Sequence, residues 1–183
     1  MEHRGRTLER CLACHAAAIP PDSGDALRET GTILVATRTI FEGILANLAA
    51  VPEYAAAKLT AVAGRHAEAV SRAIERGVTI AMGTDISVTG PDRPNCWGTN
   101  GAELGHLARL GMTPLQAIEA ATATAPLTLG PQAPRSGRLE PGYDADIITV
   151  AGNPLADIAV LGRPERITGV WRNGRSVTSQ TPL

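Results

Sequence analysis

Short apolar runs alternate with longer, alanine-rich segments along the first part of the chain. The runs at 32–37 and 78–83 are almost continuously apolar and rich in β-branched residues, and the run at 8–15 is a weaker third candidate. Runs of this kind are typical of parallel strands, because helices cover both faces of such a sheet. The alternation therefore predicts an α/β chain with three parallel strands.

Helical patterns with recognisable ends fill the segments between and after these runs. The predicted helices cover residues 23–31, 39–50, 52–76, 100–111 and 113–124. Ser23 and Asn100 are predicted to cap the first and fourth helices. The fifth helix is predicted to begin with a capping box, formed by Thr113 and Gln116, and has Pro114 at its first helical position.

The pattern changes after Gly130, from helices to Pro/Gly turns and brief strands. The predicted strands cover residues 146–150, 167–172 and 175–178. Asn173-Gly174 lies between the last two of them and predicts a tight hairpin turn. We therefore expect two segments, 1–130 and 131–183.

The chain is balanced in charge, since 17 of its 183 residues are basic and 18 are acidic, for a formal net charge of −1. A nucleic-acid-binding protein would usually carry a basic excess, and a membrane-surface segment would be polybasic. No apolar stretch reaches the roughly 18 residues of a membrane span, and no secretory signal pattern is visible. We therefore expect a cytoplasmic protein whose partners are neither nucleic acids nor membranes.

Three cysteines, Cys11, Cys14 and Cys96, make an odd number, which favours free thiols over a disulfide framework. Cys11 and Cys14 are followed by His15, and this spacing also matches the C-x-x-C-H pattern of c-type haem attachment. Covalent haem would need export to another compartment, and the α/β pattern is unlike that of a small haem-wrapping helical domain. Haem attachment is therefore kept only as a remote alternative.

Asp85 is the main candidate for a catalytic role. It follows the apolar run at 78–83 and opens a loop rich in turn residues. The carboxyl ends of parallel strands hold the functional groups in α/β folds, so Asp85 is a candidate metal ligand or general base. The alternative is that Asp85 caps a turn.

The remaining histidines are interpreted as structural. His66 lies in the middle of a predicted helix, and His3 lies near the start of the chain. His106 follows Glu103 by three residues, which predicts an i,i+3 pair on a helix surface.

Several segments together are similar to the metal-dependent amidohydrolases, in particular to their imidazolonepropionase-like and prolidase-like branch. Residues 77–85, 100–104 and 111–118 resemble the last barrel strand and the following helices of that family. Residues 137–146 and 153–155 resemble its return into a small β domain. The similarity follows the same order over nearly the whole chain.

This resemblance implies a (β/α)8 barrel that holds one or two divalent metals, usually zinc, with a metal-activated water that attacks an amide or related C–N bond. Asp85 would be the last-strand aspartate that binds the metal and takes the proton from the water. His15 would be the metal-binding histidine of the sixth strand. The implied fold is a partial TIM barrel, with strands six to eight in 1–130, and a β segment of the composite β-sandwich domain in 131–183.

The chain also departs from the family pattern. It contains no His-x-His, and its single lysine, Lys58, falls inside a predicted helix instead of at a strand end. A complete barrel needs about 200 to 250 residues, so the chain corresponds to the C-terminal part of an amidohydrolase. Three parallel strands outside a closed barrel leave two open edges, which predicts a homo-oligomer or a partner chain that covers them.

Two functions from different classes follow from the resemblance. The first is hydrolysis of a small amide or peptide-like substrate, and the second is a catalytically inactive remnant or assembly partner. The loop at 86–99 contains Arg93 and Trp97, which are candidate substrate contacts because long loops are often functional. The alternative for this loop is a solvated connector.

Overall fold

The structure is a computed structural model that describes residues 11–13, 23–86 and 96–177, with only the main chain described at 11–13. A three-stranded sheet forms its first layer, with the order β1 (Cys11–Ala13), β2 (Ile33–Ala36) and β3 (Ile80–Met82). Both pairs are parallel, and Leu34 lies opposite Leu12 on one side and Ile80 on the other. The predicted α/β class with three parallel strands is confirmed for this part.

Helices connect and follow these strands. They are α1 (Ser23–Thr30), α2 (Arg38–Ala46), α3 (Glu53–Glu75), α4 (Ala102–Arg109) and α5 (Pro114–Ala121). Short 3₁₀ helices cover Leu48–Ala50, Ala125–Gln132, Ile158–Gly162 and Pro164–Arg166. The predicted helix 39–50 is wrong at its end, because the Asn47 side chain donates to the Gly43 carbonyl and the chain leaves the α-helix there.

The two predicted caps after the sheet have different outcomes. The capping box is confirmed, since the Gln116 N–H donates to Thr113 Oγ1 at 3.3 Å and the Thr113 N–H to Gln116 Oε1 at 2.8 Å. The predicted cap by Asn100 is wrong, because the N-cap residue of α4 is Gly101, which has no side chain to cap the helix. The amide of Asn100 donates to Thr84 Oγ1 instead, at 3.4 Å.

The core between the sheet and helices α3, α4 and α5 is aliphatic. Leu34, Val70, Leu107 and Ala117 have no exposed surface. Several alanines in this core let the helices lie close to the sheet, and aliphatic side chains fill it in a chain with only 3% aromatic residues. The sheet is therefore held firmly from the helical side.

The second sheet is antiparallel, with the order β4 (Ile147–Val150), β5 (Ile167–Arg172) and β6 (Arg175–Ser176). Asn173 and Gly174 join β5 to β6 and both have positive φ, 49° and 73°, as a type I′ turn requires. The predicted hairpin is confirmed, while Thr178, the predicted end of its second strand, lies outside the described residues. The 3₁₀ helix Ile158–Gly162 packs against α4, so the two segments are in contact.

Among the helices that the structure describes, none combines the length and the apolar character that a bilayer crossing needs.

Candidate functional site

The carboxyl ends of the neighbouring strands β2 and β3 lie close together, at the edge of the parallel sheet that is formed by strand ends. The Gly83 N–H donates to the Ala36 carbonyl at 2.7 Å, so the pairing continues past the end of β3. A Cβ at position 83 would lie only 2.7 Å from Val35 Cγ1 and 2.9 Å from Thr37 Cγ2. Glycine is therefore the residue that permits this approach.

Asp85 stands at this edge, three residues after β3 ends, as the sequence predicts. Its φ is +54°, which is uncommon for a residue other than glycine, and its side chain is exposed. Ile86, directly after it, is buried. Within the described ranges the Asp85 carboxylate makes no hydrogen bond, and its exposure gives solvent access to it. The alternative of a turn cap concerns residues 87–88, which lie outside those ranges.

The far end of the loop returns to the same edge. Cys96 is buried, and Thr99 Oγ1 donates to its carbonyl at 2.8 Å. Trp97 has 61% of its surface exposed, so its indole is available for contact with a ligand. Arg93, the other predicted substrate contact, lies outside the described residues. The Gly98 N–H donates to Asn100 Oδ1 at 3.3 Å, which fixes the turn that carries Trp97.

The predicted surface pair between Glu103 and His106 is wrong, because Glu103 is buried. It has no exposed surface, and its carboxylate accepts from the Arg38 N–H at 2.7 Å and the Thr39 N–H at 2.6 Å. Thr39 Oγ1 also donates to it, at 2.5 Å. Glu103 thus caps the N-terminus of α2 from a neighbouring helix, where a carboxylate is favoured by both the free N–H groups and the helix dipole.

A signal for this buried acid is present in the sequence. Glu103 precedes the fully buried Leu107 by four residues, so helical periodicity places both on the inward face of α4. The i,i+3 spacing to His106 was the weaker guide, because a pair on the surface is worth little.

Burial and hydrogen bonding act in opposite directions on Glu103. Burial raises the pKa of its carboxyl, and the bonds from Thr39 and Arg38 and the charge of Arg38 lower it, with a net rise. Arg38 is itself buried, and its guanidinium donates to Glu42 at 2.8 Å and to the Ala63 carbonyl. The Arg38 hydrogen bond and charge hold the pKa of Glu42 below its usual value although burial raises it.

The contacts that the structure gives for its two described histidines are with residues other than Asp85. The ring of His66 is buried and packs against Phe41, with centroids 4.5 Å apart. His106 contacts the guanidinium of Arg109. Burial, followed by the charge of Arg109, lowers the pKa of His106, against the opposing effect of Glu42.

The described residues do not complete a metal site. In ranges 23–86 and 96–177 no three His, Cys, Asp or Glu side chains are grouped as metal ligands. A catalytic zinc is expected to have three protein ligands, and Asp85 is the sequence-predicted ligand that lies within these ranges. Lys58 lies on α3, as the sequence predicts, and its side chain is exposed. The predicted metal ligand His15 and the haem-pattern residue Cys14 lie outside the described residues.

Known proteins are similar to this chain in sequence and in fold. Ochratoxinase from Aspergillus niger is 43% identical over 163 residues, which are 88% of this chain and 32% of ochratoxinase. Its crystal structure has a TM-score of 0.76 at 42% identity, and the match covers 91% of this chain and 36% of that one. The crystal structure of a Xaa-Pro dipeptidase with bound methionine in the active site has a TM-score of 0.75 at 30% identity, covering 91% of this chain and 39% of that one.

The matched region covers most of this chain but only part of each relative. The chain spans about a third of the length of the curated relatives it matches. The model of the amidohydrolase family matches residues 15–177, a range that includes both sheets from β2 onward and Asp85. The resemblance drawn from the sequence segments is confirmed, and the chain belongs to the amidohydrolase family.

Proposed function

We propose that the protein of which this sequence is a part or the whole hydrolyses a C–N bond in a small amide or peptide-like molecule. The observation that carries the proposal is the position of Asp85, an exposed carboxylate at the carboxyl end of a parallel strand, in a chain of the amidohydrolase family. The carboxyl ends of the strands are where barrel enzymes of this architecture carry their chemistry.

Asp85 acts as the general base in this proposal. Its carboxylate accepts a proton from the attacking water and passes it to the leaving nitrogen as the C–N bond breaks. Its exposure gives both the water and the substrate access to the carboxylate. A divalent metal, which we propose to be zinc, would lower the pKa of the attacking water when bound. Asp85 and His15 would hold it, together with ligands from other parts of the polypeptide.

The relatives support the substrate class. A Xaa-Pro dipeptidase acts on a dipeptide, and the bond cleaved in a dipeptide is an amide. Ochratoxinase is the more similar of the two in sequence. Trp97, with its exposed indole at the same edge as Asp85, would pack on the apolar part of such a molecule, and Arg93 would bind its carboxylate.

We further propose that β1, β2 and β3 are strands six to eight of a TIM barrel, within a segment 1–130. The segment 131–183 would then belong to the small composite β-sandwich domain. Within the described residues β1 and β3 each pair on one side only, so both outer edges of the sheet are open. The remaining strands, or a partner chain or second copy, would cover these edges.

The second candidate function is a catalytically inactive remnant or assembly partner. It is favoured by one observation, namely that no three His, Cys, Asp or Glu side chains of the described residues are grouped as metal ligands. Haem attachment at Cys11, Cys14 and His15 remains the remote third candidate. A purified protein without Soret absorbance would exclude it.

The discriminating experiment combines metal content with turnover. The purified protein is analysed for bound zinc and is then assayed with Xaa-Pro dipeptides and N-acyl amino acids, with added zinc or manganese. Stoichiometric metal with release of the amine supports the hydrolase. Substoichiometric zinc and no release with any of these substrates favours the inactive remnant.

A further inference from the structure

Two strand ends of very different construction meet at the edge that carries Asp85. A single residue, Thr37, joins β2 to α2, whereas the connection from β3 to α4 runs from residue 83 to residue 101. A long connection leaves its first residues weakly positioned unless other contacts hold them. The first residues of the long connection include Asp85, so its position depends on what those contacts are.

Glu103 fixes the start of α2 to the start of α4. Its fully buried carboxylate accepts three hydrogen bonds from Arg38 and Thr39, at 2.5 to 2.7 Å. The cap therefore comes from a helix on the far side of the long connection, and it joins elements more than 60 residues apart in sequence.

Asn100 fixes the two ends of the long connection to each other. Its amide nitrogen donates to Thr84 Oγ1 at 3.4 Å, and its amide oxygen accepts from the Gly98 N–H at 3.3 Å. Thr84 directly precedes Asp85, and Gly98 directly follows Trp97. The Asn100 side chain thus links the residue before the proposed base to the residue after the proposed substrate contact.

Gly83 closes the arrangement from the side of β2. Its close approach to Val35 and Thr37 places the start of the long connection against the residue that leads into α2. Asp85 is therefore held through Thr84 by Asn100, and through Gly83 by the end of β2. Thr37 joins that strand end to the start of α2, which Glu103 caps. Asp85 itself makes none of these bonds.

We propose that Asn100 and Glu103 are positioning residues for Asp85, with Asn100 acting through Thr84 and Glu103 acting through the start of α2. The proposal rests on the proposed function for the role of Asp85, and it extends that function to two residues whose described hydrogen bonds go to groups other than Asp85. Their shared position at the start of α4 makes that helix the common support of both strand ends.

The first test uses Thr84, because valine and serine are close in shape to threonine. Thr84→Val removes the hydroxyl that accepts from Asn100, and Thr84→Ser keeps it as the matched control. In the full chain, Thr84→Val is expected to lower kcat about ten- to a hundredfold, since small misplacement of a catalytic group has effects of this size. KM and the melting temperature stay close to their starting values, and Thr84→Ser keeps kcat. Measurable turnover with equal kcat in the two variants would overturn the role of Asn100.

The second test does not depend on turnover. Hydrogen–deuterium exchange is measured at residues 83–86 and 97–99 in the same two variants and in Glu103→Gln, with exposed Glu119→Gln as the control for the loss of charge. Thr84→Val is expected to raise exchange in both stretches about tenfold, the scale set by one lost hydrogen bond. Glu103→Gln is expected to raise it at 83–86 as well, although the hydrogen bonds of Glu103 go to Arg38 and Thr39.

The outcomes of the two tests separate this proposal from the proposed function. Exchange that rises as described in a protein without any turnover supports the positioning and counts against the hydrolase. Exchange that rises in Glu103→Gln only at Arg38 and Thr39 overturns the role of Glu103. Turnover that is normal in Thr84→Val leaves the hydrolase standing and overturns the role of Asn100.

Discussion

The carboxylate of Glu103 accepts a hydrogen bond from the main-chain N–H of Arg38 at 2.7 Å, across 65 residues of sequence. Neither group has access to water, because Glu103 is fully buried and Arg38 nearly so. A helix N-terminus that is buried in this way needs an acceptor from the protein itself. The bond therefore ties the stability of α2 to the presence of α4.

Replacement of Glu103 by alanine is expected to destabilise the fold by about 3 kcal/mol, because it leaves buried N–H groups of α2 without their acceptor. The measurement is urea-induced unfolding at neutral pH. Glu119→Ala, at an exposed position of α5, is the control and is expected to change the free energy of unfolding by less than about 0.5 kcal/mol. Equal unfolding midpoints for the two variants would show that the cap contributes nothing.

Gly83→Ala is expected to cost about 1–3 kcal/mol, since its Cβ would overlap the side chains of Val35 and Thr37 and force β2 and β3 apart. Gly64→Ala is the matched control. Position 64 is exposed in α3 with open space around it, and alanine there is expected to stabilise the helix by about 0.5–1 kcal/mol. Changes of the same sign in the two thermal melts would contradict the close approach at Gly83.

His106 is expected to make stability depend on pH just below its ordinary pKa of 6.5. Burial and the charge of Arg109 lower its pKa in the folded chain, so the unfolded chain binds the proton first as the pH falls. Stability therefore falls as the pH drops from about 7 to about 5, and His106→Gln is expected to flatten this decline.

The difference between wild type and His106→Gln isolates this contribution. Glu42 has a lowered pKa, so its stabilisation is lost only below its ordinary value of 4.5. Glu103 has a raised pKa, which makes stability fall as the pH rises above 4.5, the opposite direction. Both groups are present in both proteins, and parallel curves of melting temperature against pH would refute the role of His106.

The open edges of the first sheet predict association. An unpaired strand edge is a template for pairing with another chain, and β1 and β3 both present one within the described part. The isolated chain is therefore expected to self-associate or aggregate, and to melt over a broad range. Sedimentation equilibrium and calorimetry measure this, and a monomer with a sharp melt and a high midpoint would contradict it.

Features encoded by neighbouring residues could be predicted from the sequence. The capping box at Thr113 and the turn at Asn173-Gly174 each depend on residues within one turn of the chain, and both are present as expected. The three parallel strands follow from their apolar runs. The place of Asp85 after β3 follows from the same strand assignment.

Features that depend on distant partners could not be predicted in this way. Asn100 is of a residue type that often caps helices, but its amide nitrogen donates to Thr84, which is 16 residues away in sequence. Glu103 has the spacing of a surface pair with His106. Its carboxylate is instead buried, because the first N–H groups of α2 need an acceptor where water cannot reach them. Both errors arise because local spacing carries no information on which helix will lie alongside.

The comparison of wild type with Asp85→Asn in a hydrolysis assay tests the central claim most directly. Release of the amine from a Xaa-Pro dipeptide is measured with added zinc or manganese, and Asp25→Asn, at an exposed position of α1, serves as the control. General base catalysis contributes about 10²- to 10⁴-fold, so Asp85→Asn is expected to lose at least about a hundredfold in kcat while Asp25→Asn keeps full activity. Hydrolysis by Asp85→Asn at the wild-type rate would contradict the account.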